Sequence, residues 1–238
     1  MNSPSPFSNI PPVVKNLLII NILFFIGTYA LGNIIPDVIK FLPVYYFHSP
    51  NFRLWEVITY MFMHGGFAHI FFNMFALFSF GPIVEYAMGS KKFFNFYFIC
   101  GIGAIVLQML VQAYEIHAIT GSITIPHPAL ESSYTAYGAQ AQKLFDIYNT
   151  PVVGASGAIF GLLIAFGMLF PNMELMIMFI PIPIKAKYII PVYVVLELFL
   201  GVKQFSGDSV AHFAHLGGAI LGYIMVKYWR LQRPNNFY

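Results

Sequence analysis

Residues 17–31, 93–111, 152–170 and 210–226 contain no Asp, Glu, Lys or Arg. With short extensions each reaches the roughly 20 apolar residues that a helix needs to cross the hydrocarbon of a bilayer. Residues 67–88 read as another span, whose single carboxylate, Glu85, lies near an end and can reach the interface. Residues 188–202, extended to 205, read as a sixth that is short and holds Glu197. Composition agrees with this reading: 58% of the 238 residues are hydrophobic and 9% charged, against roughly 45–50% and about 25% in a soluble domain. The expected fold is therefore all-α, a polytopic membrane protein with six transmembrane helices.

A net charge of +3 is too small for a surface that neutralises many phosphates, which argues against a nucleic-acid partner. The single cysteine, Cys100, excludes an internal disulfide and a CxxC pair, and in its apolar run it reads as a packing residue. With the N-terminus inside, Lys15, Lys91, Lys92, Lys185, Lys187, Lys227, Arg230 and Arg233 fall on the cytoplasmic side. Lys40, Arg53, Lys143 and Lys203 fall outside, a bias that favours cytoplasmic N- and C-termini. Lys15 is the only basic flank of the first span and no A-x-A site follows it, so it reads as a permanent helix rather than a signal peptide. The expected organisation is a tail at 1–13, one membrane domain at 14–230 with outer loops at 32–66 and 114–149, and a tail at 231–238. Loop 32–66 is rich in aromatic and apolar residues and suits the membrane interface, whereas 114–149 is more polar and reads as a flexible insert or a small lid. No organelle transit peptide is recognisable, which leans towards a bacterial inner membrane.

Polar groups retained at membrane depth are candidates for function. Gly154-Ala155-Ser156-Gly157 follows Pro151, which puts Ser156 near a helix N-terminus, where free N–H groups and the dipole can stabilise an oxyanion. A serine needs a base within hydrogen-bond reach, and His215 on the last span lies at a similar depth; His212, on nearly the same face, competes for that role. No Asp or Glu is expected at this depth on the outer side of any span, and Asp208 reads as a loop residue. A Ser–His dyad is thus expected, with Phe160, one turn beyond Ser156, orienting the imidazole by ring stacking. His69 and Asn73, at i and i+4, face one way and can donate to an oxyanion, while His64 reads as a loop or interface residue. Gly157, Gly161 and Ala165 on one span and Ala214, Gly218 and Gly222 on the other form small-xxx-small stripes that let two membrane helices approach closely.

H-x4-H-x3-N from His64 to Asn73, E-x3-G-S from Glu85 to Ser90, G-A-S-G at 154–157 and A-H-L-G-G-x3-G at 214–222 occur in this order. Together they resemble the rhomboid family of intramembrane serine proteases over residues 50–226. The resemblance implies a six-helix fold with a water-filled cavity open to the outside, and cleavage of single-span membrane proteins near the outer ends of their helices. It implies Ser156 as nucleophile, His215 as general base, His69 and Asn73 as oxyanion donors with the Ser156 backbone, and Gly218 and Gly222 as close-packing residues. No metal or cofactor is expected.

The sequence departs from the family pattern in carrying Phe160 where many members have Tyr. It also has Trp55-Glu56, with Arg53 nearby, where a Trp-Arg pair is common. Two other readings stand beside this one: His64, His69, His212 and His215 holding a metal or haem, and a non-catalytic rhomboid-like protein that binds membrane helices.

Overall fold

The computed structural model describes residues 10–32, 34, 40–177, 180–203 and 211–232, with the side chains of 177–182 left aside. Most of both expected tails, and Asp208, lie outside the described residues. Helices run α1 Pro12–Gly32, α2 Glu56–Thr59, α3 Phe67–Met88, α4 Ser90–Thr120, α5 Ser132–Thr135, α6 Ala141–Asn149, α7 Ser156–Leu169, α8 Ala186–Lys203 and α9 His212–Tyr228. An antiparallel hairpin, β1 Glu174–Ile177 with β2 Ile180–Lys185, joins α7 to α8. The apolar pattern gave no sign of it.

Among the described residues, three helices, α1, α3 and α4, are long and apolar enough to cross a membrane. Their outer faces are what a bilayer demands: Leu23, Phe71, Phe75 and Leu110 are exposed, and the rings of Phe67, Phe71 and Phe75 stack in a ladder along α3. Helix α9 packs most extensively against α4 and α7. Glycine makes this possible. A Cβ on Gly218 would run into the Gly157 carbonyl, and one on Gly222 would lie 2.6 Å from the Gly161 oxygen. Gly161 leaves room for Cys100, whose Sγ a Cβ would meet at 2.5 Å. The two stripes therefore face each other, and the buried Cys100 fills space beside them.

Glu85 turns inward near the end of α3. It is 1% exposed and accepts the Val13 and Val14 N–H groups at 3.1 and 2.8 Å and the Ser90 hydroxyl at 2.6 Å. Those N–H groups belong to the first turn of α1, which has no intrahelical partners for them. The carboxylate thus caps α1 and pins it beside the end of α3, where the charge also suits the helix dipole. Spacing along the sequence placed Glu85 near a helix end but could not reveal that another helix begins there.

The segment 114–149 is not a loop throughout. Helix α4 continues to Thr120 and stops at Gly121, whose φ of 76° gives the left-handed C-terminal turn that glycine favours. Beyond it, Ile125, Tyr134, Leu144, Ile147 and Tyr148 bury a small second core together with Tyr46 of the first loop and Ile116 of α4. Lys143 pairs with Glu115 at 2.9 Å. This is a packed cap rather than a flexible insert.

The first loop is tied to the bundle by a bridge between Val44 and Val152, with N–H···O distances of 3.0 and 2.8 Å. Arg53 donates to the Pro50 and Phe52 carbonyls of its own turn. Glu56 is fully buried, accepts the Tyr45 N–H at 3.3 Å, and is pushed up in pKa by that burial. Leu54, Trp55 and Phe67 remain exposed, an apolar edge suited to the interface.

Candidate active site

Helix α7 has only 14 residues, about 21 Å at 1.5 Å per residue, against roughly 30 Å of hydrocarbon. The chain before it therefore enters the bundle as irregular backbone, which is tolerated at depth only where protein or a water-lined cavity satisfies its polar groups. The Val44–Val152 bridge does part of this, and the Gly154 N–H donates to the Tyr60 carbonyl at 2.9 Å. Gly154 holds φ at +128°, and a Cβ there would lie 2.8 Å from His69 Nε2. Glycine is required at this position for both reasons. Ser156 is the first residue of α7, so the N–H groups of its first turn lack intrahelical acceptors.

The Ser156 Oγ lies 2.8 Å from Nε2 of His215 on α9, two residues separated by 59 positions in the chain. The Phe160 ring stacks on the His215 imidazole with centroids 4.4 Å apart and planes 8° from parallel. On its other side Phe160 meets Tyr193 of α8 at 5.3 Å and 17°. Phe160 is thus held between two rings, and the imidazole plane is fixed.

His69 sits over Gly154. Its Nδ1 accepts the Gly65 N–H at 3.3 Å, so in the neutral ring the proton resides on Nε2, the nitrogen beside Gly154. A hydrogen-bond donor therefore stands over Gly154, two residues before Ser156. Asn73, one turn further along α3, is 5% exposed, and its Nδ2 has no hydrogen-bond partner among the described residues. A buried amide donor left unpaired is costly.

His64 lies in the loop before α3, as expected, and is buried there: it is 8% exposed and stands edge-on to His69, ring centroids 5.1 Å apart. Burial, with His69 beside it, pulls its pKa down to about 4, so its ring is neutral at neutral pH. One expectation needs correction, that no acid lies at the depth of the site. Glu197 of α8 places Oε2 2.9 Å from Nδ1 of His215 and 2.6 Å from Nδ1 of His212. It is six residues from the end of α8, about 9 Å along the axis, and its side chain spans the step to His215. The sequence signal was an ionisable residue in an apolar run, present but assigned no partner. His212 packs behind Glu197, so His215 is the imidazole that meets the serine.

The four-histidine metal grouping does not form. Among the described residues, the group with metal-ligand spacing is Glu197, His212 and His215, whose ligand atoms lie within 4.8 Å of one another.

A family model described as the rhomboid domain matches residues 51–231. The chain is 26% identical to Rhomboid protein 1, mitochondrial, of Saccharomyces cerevisiae over 92% of its own length and 57% of that protein's. It is 30% identical to Rhomboid protease AarA of Providencia stuartii, covering 71% of this chain and 53% of that one. Against Rhomboid protease GluP of Bacillus subtilis it is 31% identical, covering 77% and 27%. The chain thus spans about half or less of the length of these relatives. With a mitochondrial protein among them, they give no support to the expected bacterial inner membrane. A rhomboid-domain match over three quarters of the chain, on a bundle of apolar helices that brings Ser156 and His215 into contact, makes this multi-pass membrane protein a member of the rhomboid family.

Proposed function

We propose that the chain is an intramembrane serine endopeptidase that cleaves single-span membrane proteins near the outer end of their transmembrane helix. The observation that carries this reading is the 2.8 Å contact between Ser156 Oγ and His215 Nε2 at the recessed start of α7. The Ser156 hydroxyl donates to Nε2, which takes its proton as Oγ attacks the scissile carbonyl carbon. The resulting oxyanion is met by the Ser156 N–H, His69 Nε2–H and Asn73 Nδ2–H. His215 then protonates the leaving amine, and water hydrolyses the acyl-enzyme by the same route in reverse. A fluorophosphonate probe tests the nucleophile: it should label the wild type at Ser156, and labelling elsewhere or of Ser156→Ala would reject the assignment.

Losing one oxyanion donor typically costs on the order of 100- to 1,000-fold in turnover. His69→Ala and Asn73→Ala are expected to lower kcat by about that much, with little change in KM, in a detergent or liposome cleavage assay. An unchanged rate would remove that residue from the site. Phe160→Tyr should be nearly neutral because the stacking face is kept. Phe160→Ala should slow both cleavage and probe labelling, since an offset ring contact of about 0.5–1.5 kcal/mol no longer biases the imidazole.

The bundle crosses the membrane six times in this reading, α7 to α9 completing the set begun by α1, α3 and α4. The capped start of α1 and the end of α9 both lie opposite the site, and the Lys and Arg bias assigns that side to the cytoplasm. A cysteine replacing Ser132 in a Cys100→Ala background should react with an impermeant thiol reagent in intact cells. Reaction only after lysis would invert the orientation.

A further inference from the structure

Helix α8 buries little of itself: among its described side chains only Ala186, Ile190, Glu197 and Gly201 are buried, while Val192, Val195 and Phe199 are exposed. That one of its few inward residues is a carboxylate is costly in an apolar bundle unless charge partners meet it. Glu197 has two, both on α9 and spaced i, i+3, and both reach the same oxygen through Nδ1. The contacts form one line: Ser156 to His215 Nε2, His215 Nδ1 to Glu197, and Glu197 to His212 Nδ1. Gly201, one turn beyond Glu197, packs against His212 Cβ, which a Cβ at Gly201 would meet at 3.1 Å, and so keeps the two helices close there.

Phe160 fixes the plane of the His215 ring, but a stacked hydrocarbon cannot select which ring nitrogen carries the proton. A carboxylate at Nδ1 can: it accepts Nδ1–H, leaving the Nε2 lone pair for the serine proton, and its charge favours the imidazolium formed when that proton arrives. We propose that Glu197 is a positioning residue of the Ser156–His215 pair, making it a Ser–His–Glu arrangement, and that His212 holds the Glu197 carboxylate in place from behind. This rests on the reading of Ser156 and His215 as nucleophile and base.

The test compares the full-length wild type with Ser156→Ala, Glu197→Gln, Glu197→Leu and Glu197→Asp in liposomes, reading kcat, KM, the rate of fluorophosphonate labelling and thermal melting. Glu197→Gln keeps size and polarity and loses the charge; it should lower kcat and the labelling rate together by roughly 10- to 100-fold, with KM within about twofold and melting unchanged. Glu197→Leu should be at least as impaired. Glu197→Asp, which keeps the charge on a shorter arm, should recover part of the loss. Wild-type kcat in Glu197→Gln, or a loss that merely follows a smaller folded fraction, would overturn the proposal while Ser156→Ala remains inactive. Activity in Ser156→Ala would instead overturn the underlying assignment of the nucleophile. Loss of wild-type turnover on chelation, restored by zinc, would make Glu197, His212 and His215 a metal site and would also overturn the proposal.

Discussion

Ser156→Ala and His215→Ala are each expected to reduce cleavage of a single-span substrate to background while the protein still inserts and purifies. In the proposed mechanism the two side chains act as one unit through the 2.8 Å contact, so removing either should cost about as much as removing both. The double variant should therefore be no worse than either single one. His212→Ala is expected to keep appreciable activity, because Glu197 still meets His215 at Nδ1. An inactive His212→Ala beside an active His215→Ala would reverse the assignment of the base. Cleavage is read by gel mobility of a reconstituted substrate, with intact melting as the control for folding.

Gly218→Val should have the largest structural effect of any single substitution on α9. A Cβ at Gly218 would occupy the space of the Gly157 carbonyl, so the contact to be broken is backbone against backbone and no side chain can rotate away. Overpacking of this kind commonly costs about 1–3 kcal/mol, and more where nothing can yield. Because Gly157 adjoins Ser156, separating α7 from α9 also separates the serine from His215. Both melting temperature and turnover are expected to fall. Gly27→Val on α1 is the internal contrast: a Cβ there meets nothing within 4 Å, and neither quantity should change. Equal melting of Gly218→Val and wild type would show that the stripe does not carry the interface.

Expectation and structure part company where depth and partnership matter. The positions of α1, α3, α4, α8 and α9 are legible to within a few residues except at the far end of α4, because long apolar runs with at most one carboxylate favour a helix in hydrocarbon. The start of α7 was placed at 152 and lies at 156, since apolar residues look alike whether they lead into a helix or belong to it. The sequence does not decide between a flexible insert and a small lid after Gly121, because the core of this packed cap draws on Tyr46 and Ile116, residues distant in the chain. The burial of His64 is not legible for the same reason: it comes from the fold around the residue rather than from its neighbours in sequence.

What the sequence determined by itself was the class of solvent and the inventory of chemistry. Uncharged runs dictate membrane helices, and the glycine stripes dictate which of their faces can touch. The order of the motifs around His69, Glu85, Ser156 and His215 dictates the family. What only the tertiary structure decided was which polar groups share a hydrogen bond. Glu85 closes the start of a helix 71 residues away, and Glu197 meets two imidazoles across an interhelical gap. Such pairings depend on the depth and rotation of separate helices, which are set by packing between them, and no periodicity within one helix encodes its offset from another.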